Sequence, residues 1–273
     1  MMKNRKIIAM DLDGTALNSK GEMSDRLKNR LKKLKQEGHS IIVATGRPMS
    51  GVSPTLLQGD IVSYVVSMNG AKIFSCQEKK TVLAQTIPND SVLKLQKYIQ
   101  KQAILADLFY EDVGYCDLQA YKKVEEYFQG DYLEYYKKSR CPVEQLWYKN
   151  LTQHQGIKKI TLFFKDVDLK AEYKEQLQKI PNICVCSGRA DNIEITAADA
   201  TKGKALQWLC EQLQLNTSHL IAFGDSENDR DMLQLAGTSV AMGNAKPEIR
   251  QMADYVTKGN DEDGVALFLE KKF

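Results

Sequence analysis

Two aspartates stand two positions apart in Asp11-Leu12-Asp13-Gly14-Thr15, directly after the apolar run Lys6 to Met10. Side chains two apart on an extended chain share a side. Both carboxylates are therefore aimed at one place, and burying them is costly unless a cation or hydrogen-bond donors compensate. A second acidic group, Gly224-Asp225-Ser226-Glu227-Asn228-Asp229, follows the apolar run Leu220 to Phe223. Asp229 is four residues beyond Asp225 and faces the same way if a helix starts between them. Four carboxylates on one rim offer the hard oxygen donors that Mg²⁺ selects, and an octahedral Mg²⁺ keeps waters while accepting phosphate oxygens. Ala44-Thr45-Gly46-Arg47 adds a hydroxyl and backbone N–H groups able to hold an anion. Thr201-Lys202-Gly203 adds a lysine that can balance a phosphate and a carboxylate together. Each segment has a plain alternative: an Asx-turn at Gly14, a helix capped by Asp225 or Ser226, a strand terminator at Thr45, a solvated Lys202. None of these explains why all four stand at element ends.

The elements that must position these groups are legible as well. Lys6 to Met10, Ser40 to Ala44 and Tyr64 to Ser67 are unbroken apolar runs ending at turn residues, the pattern of strands buried on both faces. Between the first two lies a helix with Ser24 as N-cap, Leu27, Leu31 and Leu34 on one stripe, and Gly38 past its end. The same grammar returns after residue 200. A helix from about Lys202 to Leu213 turns Ala205, Leu206, Leu209 and Leu213 inward, Leu220 to Phe223 is a strand, and Asn228 to Ala236 is the next helix. Thr238 to Ala241 and Asp254 to Val256 are further strands, with Pro247 opening the helix between them. The two ends of the chain are expected to build one doubly wound α/β (Rossmann-like) parallel sheet from residues 1–83 and 196–273, because both carry the unbroken apolar runs of strands covered by helices on both faces.

Residues 84–195 differ. Ile160 to Phe164, Ile183 to Cys186 and Ile193 to Ile195 alternate or are β-branched, and they sit among helical stretches such as Asp90 to Gln102 and Leu169 to Lys179. This reads as an inserted α+β domain. Half of the aromatic residues crowd its first part, from Phe109 and Tyr110 to Trp147 and Tyr148, interleaved with Lys122, Lys123, Lys137, Lys138 and Arg140. A nucleic-acid platform has that composition; the reading preferred here is a small domain's core and substrate pocket with solvated lysines.

Composition excludes several classes. The chain has 273 residues, 38 basic and 35 acidic, for a net charge of +3, too weak a field to imply nucleic acid or a membrane surface. No stretch approaches the ~20 apolar residues of a membrane span, and Ile7 to Met10 is too short for a signal-peptide core. Six cysteines without a C-x-x-C pair suit reduced thiols and a cytoplasmic protein, not a disulfide scaffold or a zinc site. There is no G-x-x-x-x-G-K-[ST] loop and no G-x-G-x-x-G fingerprint. His39, His154 and His219 lack metal-ligand spacing, and Gly224-x-Ser226 lacks the second glycine of a nucleophile elbow. Asn260 to Gly264 is too short for a calcium loop and reads as a capped helix start.

Taken together, DLDGT, ATGR, TKGKAL and GDSENDRDM resemble, in order and interval, the four motifs of the haloacid-dehalogenase-like phosphatases, in particular the Cof-type branch with a large α/β cap (type IIB). Ser67 to Ala71 (SMNGA) and Ala241 to Ala245 (AMGNA) are similar to that branch too. The resemblance implies that Asp11 is the nucleophile taking up the phosphoryl group and Asp13 the general acid and base. It implies Mg²⁺ held by Asp11, the backbone carbonyl of Asp13 and Asp225, with Asp229 orienting the metal shell from behind. Leu12, Thr45, Gly46, Lys202 and Asn228 would bind phosphate, with Thr45 and Lys202 also serving catalysis, and Arg47 and Asn69 would lie near the substrate. The implied reaction is hydrolysis of a small phosphorylated metabolite such as a sugar phosphate, flavin mononucleotide or pyridoxal phosphate. Two alternatives stay open: a sugar phosphomutase, and a non-enzymatic phospho-acceptor switch like a bacterial receiver domain, against which the insertion and Asp13 both argue. Oligomeric state is not readable from the motifs.

Overall fold

A computed structural model describes residues 5–57, 60–99, 104–147 and 156–273. In chain order its strands are β1 (Ile7–Met10), β2 (Ser40–Ala44), β3 (Tyr64–Ser67), β4 (Lys72–Ser75), β5 (Lys80–Ala84), β6 (Leu105–Tyr110), β7 (Val113–Asp117), β8 (Arg140–Val143), β9 (Lys159–Phe163), β10 (Ile183–Cys186), β11 (Asn192–Ala197), β12 (Leu220–Gly224), β13 (Thr238–Ala241) and β14 (Tyr255–Val256). They make two sheets, and the chain divides into two compact units. One comprises Met1–Arg47, Val52–Leu83 and Thr201–Phe273, the other Pro48–Gly51 and Ala84–Ala200.

In the first unit the strand order is β14-β13-β12-β1-β2-β3-β4-β5. The strands from β14 to β3 are parallel, and β4 runs antiparallel to β3. This is an α/β sheet of the doubly wound kind. Every residue of β1, β2 and β12 is buried, as unbroken apolar runs require. The chain builds outward from β1 in both directions, which makes the carboxyl end of β1 the switch point of the sheet. Register then fixes what meets there. Met10 lies beside both Phe223 and Val43, so Asp11, Thr45 and Asp225 all leave the sheet on one edge.

The helices follow their caps. Ser24 accepts from the Leu27 N–H at 3.1 Å and opens Asp25–Gln36, whose Leu27, Leu31 and Leu34 are buried. Thr201 accepts from the Lys204 N–H and opens Lys202–Gln212. That helix ends one residue before Leu213, which is only half-buried; Cys210 fills the expected inward place. The helix expected from Asn228 starts later, at Arg230, behind a 3-10 turn over Glu227–Asp229. No helix among the described residues is long and apolar enough to cross a membrane.

In the second unit the strand order is β10-β11-β9-β6-β7-β8, with β10, β11, β9, β6 and β7 antiparallel in succession and β8 parallel to β7. Alternation along β6 and β9 sends residues to opposite faces. Leu108, Ile160 and Leu162 join Val92 and Leu95 of the helix Asn89–Ile99 and Leu177 of the helix Val167–Leu177. Residues 100–102, the end of the helix expected over Asp90 to Gln102, lie outside the described residues, as do Tyr148 and His154. On the other face Leu105, Cys116 and Phe163 pack with Val124, Phe128 and Tyr136. Phe128 meets Tyr136 and Phe163 at ring distances of 4.9 Å, so these aromatics are a core. On the surface beside them, Lys137 pairs with Glu125 and Lys165 with Glu126.

Asp107 sits on this aromatic face, fully buried. It accepts from the Tyr136 hydroxyl and from Arg140 Nε at 2.6 Å. Truncating one partner of a buried pair leaves the other charge uncompensated, a loss of about 3–5 kcal/mol. Asp107→Ala is therefore expected to lower the urea-unfolding free energy by about that amount. A loss below about 1 kcal/mol, the scale of an exposed pair, would contradict the pairing.

Candidate active site

The edge where β1, β2 and β12 end gathers most of the chemistry-bearing residues. Asp11 leaves β1 with its N–H bound to the Phe223 carbonyl at 3.1 Å, and the loop closes on itself through Thr15 N–H and Leu17 N–H, both donating to the Leu12 carbonyl. Gly14 turns this loop at φ +78°. A side chain there would also come within 2.7 Å of Asp225 Oδ2, so glycine is required twice over. The N–H groups of Leu12 and Asp13 take no acceptor among the described residues. Adjacent unspent N–H groups form a concavity suited to an anion.

Lys202 is fully buried. Its Nζ donates to Asp11 Oδ1 and to Asp229 Oδ1, each at 2.6 Å. Burial works against the ammonium, yet Asp11 and Asp229 reverse that and hold its pKa above the ordinary lysine value. Asp229 is spent on both oxygens, because its Oδ2 accepts from the N–H groups of Asp225 and Ser226 at 3.0 Å. That bond pair is why a 3-10 turn precedes the helix: the carboxylate folds back over the strand end. Asp225 accepts from the Thr15 hydroxyl at 2.7 Å and from the Ser226 hydroxyl at 2.9 Å.

Asp11, Asp225 and Asp229 bring carboxylate oxygens within 4.8 Å of one another. One ammonium cannot neutralise three carboxylates. Burial pushes the Asp11 carboxyl well above the usual range; Lys202 pulls it back, and Asp229, Asp225 and Asp13 push it up again. Burial and then Asp229 push Asp225 up to about 6. A divalent cation with hard-donor preference fits this excess.

The other expected residues divide. Thr45 is fully buried, and its Oγ accepts from the Arg47 N–H at 3.1 Å; Gly46 lies between them. Asp13 does not join the acidic trio. Its side chain is 57% exposed and both oxygens are taken by Arg47, with Nε at 2.8 Å. The expectation of four converging carboxylates is corrected to three, because the strand ends at Met10 and the chain turns from Leu12 onward, so the two-residue alternation that would aim Asp13 beside Asp11 no longer holds. Arg47, expected near substrate, is committed to Asp13. Asn69 is 3% exposed and accepts from Asn228 Nδ2 at 3.1 Å. Asn228 thus spends a donor on protein, and its Oδ1 is buried without a partner.

Four positioning contacts were not foreseen. Thr15 and Ser226 hold Asp225, Asp231 accepts from the Gly203 N–H at 2.9 Å, and Asn244 Nδ2 donates to the Gly14 carbonyl at 2.8 Å. All lie inside segments singled out by their spacing, but only the folded chain shows which atoms meet. His39 does not enter: it accepts from the Lys6 N–H and packs on Phe273.

The haloacid dehalogenase-like hydrolase family model matches residues 8–269, nearly the whole described chain. The chain belongs to the haloacid dehalogenase-like hydrolases. It is 30% identical to phosphatase YwpJ of Bacillus subtilis, over 97% of this chain and 99% of that one. It is also 30% identical to 5-amino-6-(5-phospho-D-ribitylamino)uracil phosphatase YwtE of the same organism, over 97% of both chains. Among solved structures, a haloacid dehalogenase-like hydrolase from B. subtilis superposes with a TM-score of 0.87 at 26% identity, covering 98% of this chain and 100% of that one. This hydrolase is an enzyme whose relatives carry phosphatase names.

The raised Asp225 carboxyl has a measurable consequence. In metal-free protein the folded state holds this proton more tightly than the unfolded chain, where aspartate titrates near ~3.9. Its contribution to stability is present below that value and is lost as pH rises through about 6. In EDTA, Asp225→Asn is expected to match wild type near pH ~4 and to exceed it at pH ~7 in urea unfolding. A difference independent of pH would contradict the assignment.

Proposed function

We propose that this hydrolase is a Mg²⁺-dependent phosphatase that hydrolyses small phosphorylated metabolites through a phosphoryl group carried on Asp11, in the cytoplasm. The observation carrying the reading is Asp11 itself: Oδ1 is pinned by buried Lys202. A nucleophile so fixed needs no reorganisation before attack.

Asp11, Asp225 and the Asp13 carbonyl would hold the ion, Asp229 supporting from behind through Lys202 and the turn N–H groups. When bound, Mg²⁺ supplies neutralisation of charge on the phosphoryl oxygens. The chain's own residues supply the rest. Asp11 Oδ2 attacks phosphorus in line, the bond from phosphorus to the leaving oxygen breaks, and Asp13 gives that oxygen a proton. Asp13 then takes a proton from water, whose oxygen attacks phosphorus and releases the Asp11 carboxylate and inorganic phosphate. The Asp13 oxygen that carries the proton must leave Arg47 before either transfer. Lys202, the Thr45 hydroxyl and the Leu12 N–H offer positive charge or donors to the phosphoryl oxygens.

We assign substrate choice to the inserted unit, the counterpart of the large cap in the type IIB branch that the motifs resemble. Sugar phosphates, flavin mononucleotide and pyridoxal phosphate form the first panel. The name of the YwtE relative adds a phosphorylated ribityl compound.

Asp11→Asn is expected to abolish Mg²⁺-dependent release of phosphate from p-nitrophenyl phosphate; equal activity in the two proteins would overturn the reading. Asp13→Asn tests the second role by leaving group. Removing an acid–base group costs about 10²–10⁴-fold, and the loss should be larger for alkyl phosphates than for p-nitrophenyl phosphate, whose leaving group departs without a proton. Equal losses on both substrates would remove Asp13 as the acid.

A further inference from the structure

The segment Met68-Asn69-Gly70 has no part in the chemistry above, yet it is among the most constrained backbone in the first unit. Three consecutive residues have positive φ: 50° at Met68, 57° at Asn69 and 105° at Gly70. All three are buried. Consecutive left-handed residues that include a methionine persist only where the surroundings hold them. Here three surroundings do so. The Met68 N–H donates to the Arg47 carbonyl at 2.9 Å and the Asn69 N–H to the Thr45 carbonyl at 3.0 Å, which fixes the turn to the loop after β2. Gly70 lies so close to Thr201 that a Cβ would stand 2.2 Å from its carbonyl oxygen, which fixes the turn to the start of the Lys202 helix. The side-chain Oδ1 of Asn69 accepts from Asn228 Nδ2, inside the turn Glu227–Asp229. Asn228 Oδ1 has no partner, so this bond is the polar tie of the Asn228 side chain among the described residues.

We propose that Asn69 is a positioning residue and not a substrate contact: its buried left-handed turn sets the loop of Thr45, the start of the Lys202 helix and the acidic turn of Asp229 in register with one another. The side-chain bond to Asn228 is the component that reaches the carboxylates. Asn228 is bonded in sequence to Asp229, whose two oxygens hold Lys202 and the Asp225 N–H. Loosening Asn228 therefore loosens the acidic trio without removing any of its members. Asparagine suits the place twice, since it tolerates the left-handed region and carries the acceptor.

Asn69→Gly keeps the backbone conformation and deletes the acceptor. Asn69→Asp keeps both. Two measurements read the result. Hydrogen exchange of the metal-free protein follows the amides of residues 225–229 against those of β1. Calorimetric titration with Mg²⁺ alone follows the metal site and rests on the phosphatase reading above. Asn69→Gly is expected to speed exchange in residues 225–229 with β1 unchanged, and to weaken Mg²⁺ binding about tenfold or more, the scale seen for groups that support metal ligands. Asn69→Asp is expected to restore both. Wild-type exchange and affinity in Asn69→Gly would overturn the proposal. So would equal weakening in Asn69→Gly and Asn69→Asp, which would make the amide a direct ligand contact. Failure of wild type to bind Mg²⁺ would count against the metal reading alone, with the exchange comparison still deciding the role of Asn69.

Discussion

A lysine ammonium buried between two carboxylates is the interaction on which the rest of this site depends. Lys202 reaches no water, so its charge is affordable only because Asp11 and Asp229 each lie 2.6 Å away. The arrangement works in both directions. It fixes one oxygen of Asp11, and it ties the end of β1 to the turn after β12. The parallel sheet provides the geometry, because β1 has β2 on one side and β12 on the other. Only at that switch point do three strand ends with unrelated sequence positions open onto a shared volume.

The same interaction leaves a surplus of negative charge. Asp225 completes the trio, and no second buried cation among the described residues contacts it. Asp13 escapes the surplus by facing solvent and pairing with Arg47. Two carboxylates separated by one residue thus occupy opposite environments, one buried and pinned, the other exposed and removable. Distinct surroundings are what allow neighbouring carboxyl groups to take distinct roles.

The centre of the sheet was legible because β1, β2 and β12 are unbroken apolar runs, and the site because Asp11, Thr45 and Asp225 each stand where such a strand ends. Lys202 was legible as a helix start but not as buried, since a lysine's depth is set by what lies beyond its own helix. The late start of the helix at Arg230 was hidden for a related reason. Asp229 spends its carboxylate on the N–H groups of Asp225 and Ser226, and spacing alone does not reveal that fold-back. The Asp13–Arg47 pair and the burial of Asn69 also arise from loops meeting across the sheet edge. In the inserted unit, alternation marked the strands, while the buried Asp107–Arg140 pair came from β6 and β8, strands whose adjacency to β7 no local pattern encodes.

The central claim is that Asp11, held by Lys202, is the atom-bearing nucleophile. The most direct measurement is to mix the enzyme with Mg²⁺ and a turned-over phosphate ester, quench in acid, reduce the acyl phosphate with borohydride, and map the modified residue by peptide mass. The account predicts conversion of Asp11 to homoserine, increased in Asp13→Asn and absent in Asp11→Asn. Steady phosphate release with no label on Asp11, or with the label on another residue, would contradict it.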